Sequence, residues 1–174
     1  RCSEILKKLT LNPSIEDEFI DRDLSIGDYV DEIIKSFREI STKKFIVNSD
    51  QNSNSFDIIK SIEIVYGLRN FIGNANKFSN DKIFINIKSD NEFTEIIIED
   101  DGEGYPKDVL SKIGEPYIKS FKSSSKSKSG LGLGIFIGKT LLEKNYANVL
   151  CGNSKTRTGA EVSIKWKNKD LLIL

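Results

Sequence analysis

A chain of 174 residues, 38% hydrophobic and 30% charged, has room for one domain or one domain with a short appendage, and its composition is that of a folded globular protein rather than a disordered one. Its 26 basic and 26 acidic side chains cancel, so no broad attraction to nucleic acid is expected. No apolar run approaches the roughly 18–20 residues of a membrane-spanning helix. Cys2 and Cys151 stand far apart without metal-type spacing, which argues for a reducing compartment and against a disulfide scaffold. Histidine is absent, which removes the commonest general base, metal ligand and phospho-acceptor. Methionine is absent too, so the chain is expected to be a fragment or a processed product.

In chain order, RCSEILKKL (1–9) reads as the end of a helix, closed by Asn12-Pro13-Ser14, and the acidic stretch to Asp23 as a loop or short edge strand. Ile26, Tyr29, Val30, Ile33, Ile34 and Phe37 recur at i, i+3, i+4, i+7, i+8 and i+11, which predicts an amphipathic helix. KKFIVNS (43–49) predicts a strand. A second helix is expected over about 57–78, with Ile58, Ile62, Val65, Leu68, Ile72 and Ala75 inward. Residues 82–89 and 93–100 alternate as two strands around an Asp90-Asn91 turn. A short helix over about 107–113 and a Ser/Lys-rich loop follow, then a helix over 132–145 and strands over about 147–153 and 160–167. The expected class is α+β: a two-layer α/β sandwich, its sheet mostly antiparallel and covered on one face by helices.

The stretch SGLGLGIFIGKT (129–140) suggests a phosphate cradle, and three geometries compete for it. A dinucleotide fingerprint fails because the glycines, Gly130, Gly132 and Gly134, have the wrong spacing and follow Ser and Lys rather than a strand. A Walker A loop fails because Leu133 stands where glycine is required, and Gly138-Lys139-Thr140 falls inside the helix. A helix N-terminus closing over phosphates at the end of a lid remains, beside the plain alternative of close packing, and it requires partners elsewhere.

Those partners lie upstream. Asn70, Asn74 and Lys77 share one face of the second helix at i, i+4 and i+7. An amide oxygen can ligate magnesium and a lysine can meet phosphate oxygens, whereas the plain reading is a solvated face. Asp100-Asp101-Gly102-Glu103-Gly104 puts a carboxylate at a strand end beside glycines that let main chain approach a ligand, or else is an ordinary Asp/Gly turn.

In this order the segments resemble the boxes of the GHKL ATPases, which share the Bergerat ATP-binding fold. GLRNFIGNANKFS (67–79) resembles the N-box, IEDDGEGYP (98–106) the first glycine box, GLGLGIFIGKTLLEKN (130–145) the second, and TGAEVSIKW (158–166) the closing strand. Within that superfamily the chain is most similar to the catalytic domain of bacterial two-component sensor histidine kinases of the RegB/PrrB redox-sensor type, through GEPYIKS (114–120) and RCSEIL. The resemblance implies the end of a dimerisation helix over 1–12 and an ATP-binding catalytic domain over 13–170, with a flexible ATP lid at about 105–130. It implies ATP and Mg2+ as cofactors, with Asp100 accepting the adenine amine and Gly102 and Gly104 turning beneath the base. Asn74 would ligate magnesium, Asn70 would face the phosphates, Lys77 would contact phosphate and Phe78 would stack near the base. Gly130, Leu131, Gly132, Leu133 and Gly134 would bring backbone amides to the phosphates.

The implied activity is transfer of the γ-phosphate to a histidine on a separate dimerisation domain, for relay to a response regulator. The implied parent is a membrane-anchored homodimer with this domain in the cytoplasm. A non-catalytic interaction module and an anti-sigma-type serine kinase are the alternatives. Gly73 stands where ATP-hydrolysing members carry a glutamate as base for water, which favours transfer to a protein nucleophile. Tyr105 and Ala160 are milder departures, where isoleucine and threonine are common; Cys2 is placed as the redox-responsive kinases place a sensory cysteine but reads as an ordinary helix residue, and Cys151 as core.

Overall fold

The computed structural model describes residues 24–50, 57–58, 61–116 and 133–171. The expected helix end at 1–9, Cys2, the acidic stretch before Leu24 and residues 117–132, which include most of the lid expected at about 105–130 and Gly130, Leu131 and Gly132, lie outside the described residues.

A short strand β1 (Leu24–Ser25) leads into α1 (Ile26–Arg38). Helix α1 starts at a capping box: the Ser25 hydroxyl accepts from Asp28 N at 3.2 Å while the Asp28 carboxylate accepts from Ser25 N at 2.8 Å. Ile26, Tyr29, Val30, Ile33 and Ile34 are buried at the predicted spacing. Strand β2 (Lys44–Asp50) follows, and β3 (Asp57–Ile58) pairs antiparallel with β1.

This pairing corrects the expected start of the second helix at about 57. Ile58 is extended, and α2 (Ile62–Phe78) begins after Ser61, whose hydroxyl accepts from Ile64 N at 3.3 Å. Apolar periodicity could not mark this start, because Ile58 suits a strand as well as a helix. The cap marks it.

Strands β4 (Lys82–Ser89) and β5 (Phe93–Asp100) form the predicted hairpin; Asp90 Oδ1 accepts from Glu92 N and Phe93 N at 2.8 and 2.7 Å. A four-residue α3 (Lys107–Leu110) passes into turns where helix was expected to 113. After residue 132 come α4 (Gly134–Lys144), β6 (Asn148–Asn153), β7 (Ala160–Lys167) and α5 (Asn168–Leu171). The main sheet runs β2-β4-β5-β7-β6, with β2–β4 parallel and the other three pairings antiparallel.

Alternate residues of the central strands, among them Ile83, Ile85, Ile96, Ile98, Val162 and Ile164, join α1, α2 and Leu142 of α4 in one core. Burying one such aliphatic side chain contributes about 1.5–3 kcal/mol. Trp166 is fully buried and its indole N–H donates to Asn145 O at 3.1 Å, tying β7 to the end of α4. Helices α2 and α4 cross closely at Gly138, where a Cβ would fall 2.9 Å from the Phe71 ring and 3.2 Å from Gly67 O. The glycine of the GKT phrase is therefore a packing contact, and the neighbouring Lys139 pairs with Glu143 at 3.6 Å.

Candidate nucleotide site

Strand β5 ends at Asp100, which is only 4% exposed. Its Oδ1 accepts from Gly102 N at 2.9 Å and from Ala160 N, at the start of β7, at 3.2 Å. Main chain closes on this carboxylate from two sides. A Cβ on Gly102 would lie 2.4 Å from Phe78 O, and one on Gly159 would lie 1.9 Å from Asp100 O. Burial raises the Asp100 pKa, against the lowering by the two backbone donors; Asp101 adds to the rise and Lys43 opposes it.

Asp101, its neighbour, has the opposite fate. Burial would raise its pKa, but the main-chain donors outweigh that and hold it below the usual carboxylate range. Asn80 N and Asp81 N donate to Oδ1 at 2.8 and 3.0 Å, and Lys82 N to Oδ2 at 3.0 Å. Asp101 closes a turn; Asp100 before it is kept dry, with one oxygen taking both main-chain bonds.

Downstream, Gly104 has φ +74, a conformation that favours glycine, and a Cβ there would meet Asn153 Oδ1 at 2.7 Å. The Asn153 amide grips the next residue, accepting from Tyr105 N at 2.6 Å and donating to Tyr105 O at 3.0 Å. Burial pushes the Tyr105 hydroxyl up, and it pushes the Cys151 thiol up to about 11. Cys151 packs against the core, as expected, and a thiol so protonated is a poor nucleophile.

The second half of the site is the crossing of α2 with the start of α4. Asn70 donates through Nδ2 to Tyr66 O at 2.8 Å. Asn74, one turn on, has a buried Nδ2 without a hydrogen-bond partner among the described residues. A Cβ on Gly134 would lie 3.2 Å from both amide atoms of Asn74 and 3.6 Å from Asn70 Oδ1. Gly134 opens α4, whose N-cap Leu133 provides no side-chain hydrogen bond, so the first turn of α4, with N–H groups that lack intrahelical partners and the positive end of the helix dipole, lies beside the two amides. A buried amide left unpaired costs on the order of 1–3 kcal/mol, which a ligand can recover.

Anions suit this corner, and so does a hard cation shared with them. Magnesium takes one or two protein oxygens and completes its shell with phosphate and water, and no group of three or more acidic, His or Cys side chains forms a metal cage among the described residues. Asn74 fits that demand, with Oδ1 for a cation and Nδ2 for an oxygen.

Asn70, Asn74 and Gly134 thus converge, and Asp100 and Gly102 form a second cluster with Phe78 O. Lys77 does not point inward with the amides: its Nζ lies 5.3 Å from the centre of the Phe78 ring, and Phe78 is 46% exposed. The main chain of Phe78, not its ring, touches the Asp100 turn. Ala160 and Asn153 are contributors that sequence reasoning gave no role. A Gly-Ala pair opening a strand was visible; the Asn153 grip carries no local signature.

Fold and site together define an ATP-binding α/β domain. The chain belongs to the histidine kinase-, DNA gyrase B- and HSP90-like ATPase family, whose model matches residues 60–170. It is 33% identical over 132 residues to the sensor histidine kinase RegB of Cereibacter sphaeroides, covering 67% of this chain and 29% of that protein. It is 30% identical over 125 residues to sporulation kinase A of Bacillus subtilis, covering 71% of this chain and 18% of that protein. The chain therefore spans less than a third of the length of these curated relatives. In fold it is similar to the mycobacterial sensor histidine kinase MprB (TM-score 0.70, 19% identity, 83% of this chain and 96% of that one). It is also similar to full-length ShkA in complex with AMPPNP (TM-score 0.65, 20% identity, 83% of this chain and 30% of that one).

Proposed function

We propose that the chain is the catalytic domain of a sensor histidine kinase, moving the γ-phosphate of ATP to a histidine on a separate dimerisation domain for relay to a response regulator. The observation that carries this reading is the buried amide of Asn74, unpartnered among the described residues, at the start of α4, where Leu133 gives no side-chain cap, with the buried carboxylate of Asp100 beyond the end of the same α2. The kinase names of its relatives support the reaction class.

In this reading Asp100 Oδ2 accepts the exocyclic amine of adenine while Oδ1 stays with Gly102 N and Ala160 N, and Gly102 and Gly104 keep the floor of the base pocket thin. Asn74 holds Mg2+ through Oδ1, and the ion, when bound, neutralises charge on the β- and γ-phosphates. Asn70 faces the phosphates from the previous turn, Lys77 swings from the Phe78 ring to meet them, and Phe78 borders the base. Gly134 and Leu133, with Gly130, Leu131 and Gly132 of the lid, bring main-chain N–H groups to the phosphate oxygens. Catalysis is then positioning and electrostatics, with the nucleophile brought by another domain.

Transfer is favoured over hydrolysis by the residue before Asn74. Gly73 offers no base, and a Cβ there would lie 3.3 Å from Phe37 Cζ of α1. A side chain at 73 would need that ring to give by a few tenths of an ångström. The full-length parent is proposed as a membrane-anchored homodimer with this domain in the cytoplasm, residues 1–12 being the end of its dimerisation helix.

The test joins this chain to its preceding helical hairpin and supplies γ-labelled ATP with magnesium. Acid-labile, alkali-stable label on the hairpin histidine is expected. ATP binding without label would leave an interaction module, and label on a partner's serine would make it a serine kinase.

A further inference from the structure

Lys43, in the turn between α1 and β2, reaches across to the far end of α2. Its ammonium donates to Asn76 O at 2.6 Å and to Ser79 O at 2.5 Å. These are carbonyls at the C-terminal end of the helix, where a cation meets both the unpaired acceptors and the negative end of the dipole. The same turn makes a second attachment, Ser41 Oγ donating to Asn76 Oδ1 at 2.7 Å, and Lys43 N is itself held by Ser41 Oγ at 3.2 Å.

What this clasp holds is the hinge of the nucleotide site. Asn74 lies two residues before Asn76, the first of the two clasped residues, in the turn that leads into this end of α2. The Phe78 carbonyl, between the two clasped residues, is the group against which Gly102 packs with no room for a Cβ. On the far side, Asp101 grips the main chain of residues 80–82. The end of α2 is therefore pinned from two directions, by a cation before it in sequence and a carboxylate after it. The cation is also felt at Asp100, where it opposes the effects of burial and of Asp101.

Resting on the kinase reading above, we propose that Lys43 is a positioning residue of the nucleotide site, holding the last turn of α2 so that Asn74 and the Asp100–Gly102 turn keep their relative places. A clasp made only for fold stability would change melting and leave the binding profile alone. A clasp that positions the site changes affinity in the folded protein, and its charge changes the pH at which binding is lost. The charged and titratable groups around Asp100 are Asp101, Lys43 and the Tyr105 hydroxyl. Of these, Lys43 is the one whose removal raises the Asp100 pKa. Since an amine needs the ionised carboxylate as acceptor, the acid limb of binding then moves to higher pH.

The experiment titrates a fluorescent ATP analogue with magnesium against this chain from pH 5 to 8.5, for wild type, Lys43→Met, Lys43→Gln and Lys43→Arg, with melting curves alongside. Lys43→Met is expected to bind about tenfold more weakly at pH 7.5, the order expected for two lost charge-assisted bonds, with its acid limb at higher pH. Lys43→Arg should restore both affinity and limb. Lys43→Gln keeps donors without charge; it should bind within about threefold of wild type at pH 7.5 but share the shifted limb. Should Lys43→Met fail to fold, the Gln and Arg variants decide the matter. Wild-type affinity and limb in Lys43→Gln overturn the proposal, as does a Lys43→Met loss matched by its unfolded fraction. Failure of wild type to bind the analogue would instead sink the kinase reading.

Discussion

Strand β5 carries two polar clusters at one end, on opposite faces of the sheet. On the face away from the helices, Glu99 is buried and fully engaged. Ser154 Oγ and Thr156 Oγ1 donate to its Oε1 at 2.7 and 3.2 Å, and Arg157 Nε pairs with Oε2 at 3.5 Å. Arg157 also covers the Phe84 ring, 3.5 Å from its centre. On the helix face, one residue later, Asp100 accepts both main-chain bonds on one oxygen, and Asn74 keeps an amide unpaired. A polar cluster that satisfies itself fixes a loop, here the β6–β7 turn. One that leaves capacity open in a dry place has a cost that a ligand can remove. The contrast separates structure from function more sharply than polarity or burial does, since both clusters are polar and buried.

Breaking the open side should cost binding most. Asp100→Asn keeps an oxygen for Gly102 N and Ala160 N but turns an N–H2 outward, which under the proposed function sets donor against the adenine amine. ATP-analogue affinity is expected to fall about a hundredfold with little change in melting temperature, because a mispaired buried polar group discriminates strongly. In wild type, affinity should decline on acidification at a pH above the ordinary aspartate range, because burial raises the Asp100 pKa and the protonated group no longer accepts; the Asn variant should lack that limb. Isothermal titration across pH reads both, and unaltered affinity in the variant would remove Asp100 from the adenine assignment.

Breaking the closed side should do the reverse. Glu99→Ala strands the Ser154 and Thr156 hydroxyls and the Arg157 guanidinium, at a cost of about 2 kcal/mol in unfolding free energy. Analogue affinity should stay within about threefold of wild type, because the donors to Asp100 come from main chain. Urea unfolding and the same titration distinguish the two outcomes. A large affinity loss in folded Glu99→Ala would mean that the two faces are one site.

The order of the boxes was legible in sequence because each depends on local chemistry: an amide stripe at helical spacing, an Asp/Gly turn at a strand end, glycines opening a helix. The alternation of β4, β5 and β7 likewise announced the antiparallel core. What was not legible depends on distant pairing. β3 joins β1 across more than thirty residues, so nothing near Ile58 marks it as strand. The parallel pairing of β2 with β4 is set by the α2 crossover between them. Lys43 reads as one more surface lysine until the end of α2 is folded against it, and Asn153 as a strand-end amide until it grips Tyr105.

The smallest expected effect tests how far the contrast extends. Tyr146, at the end of α4, has φ +62 and is 60% exposed, an uncomfortable conformation for any residue but glycine. Its N–H bonds to Glu143 O at 3.1 Å and that of Ala147 to Leu142 O at 3.0 Å, so this residue turns the chain out of the helix, a position where glycine is usual. Like Asn74 it departs from local preference, but it sits on the surface beyond the C-terminal end of α4, whereas Asn74 meets the start of that helix. If openness to a ligand requires converging groups, this strain is structural only. Tyr146→Gly should then raise stability by about 0.5–1 kcal/mol, the relief of the left-handed conformation less the added freedom of the unfolded chain. A higher urea midpoint at unchanged slope, with analogue affinity unaltered, is the expected result. A loss of affinity would show that strain at the far end of α4 is transmitted to its N-terminus, and the line between closed and open regions would have to be drawn along helices rather than around side-chain clusters.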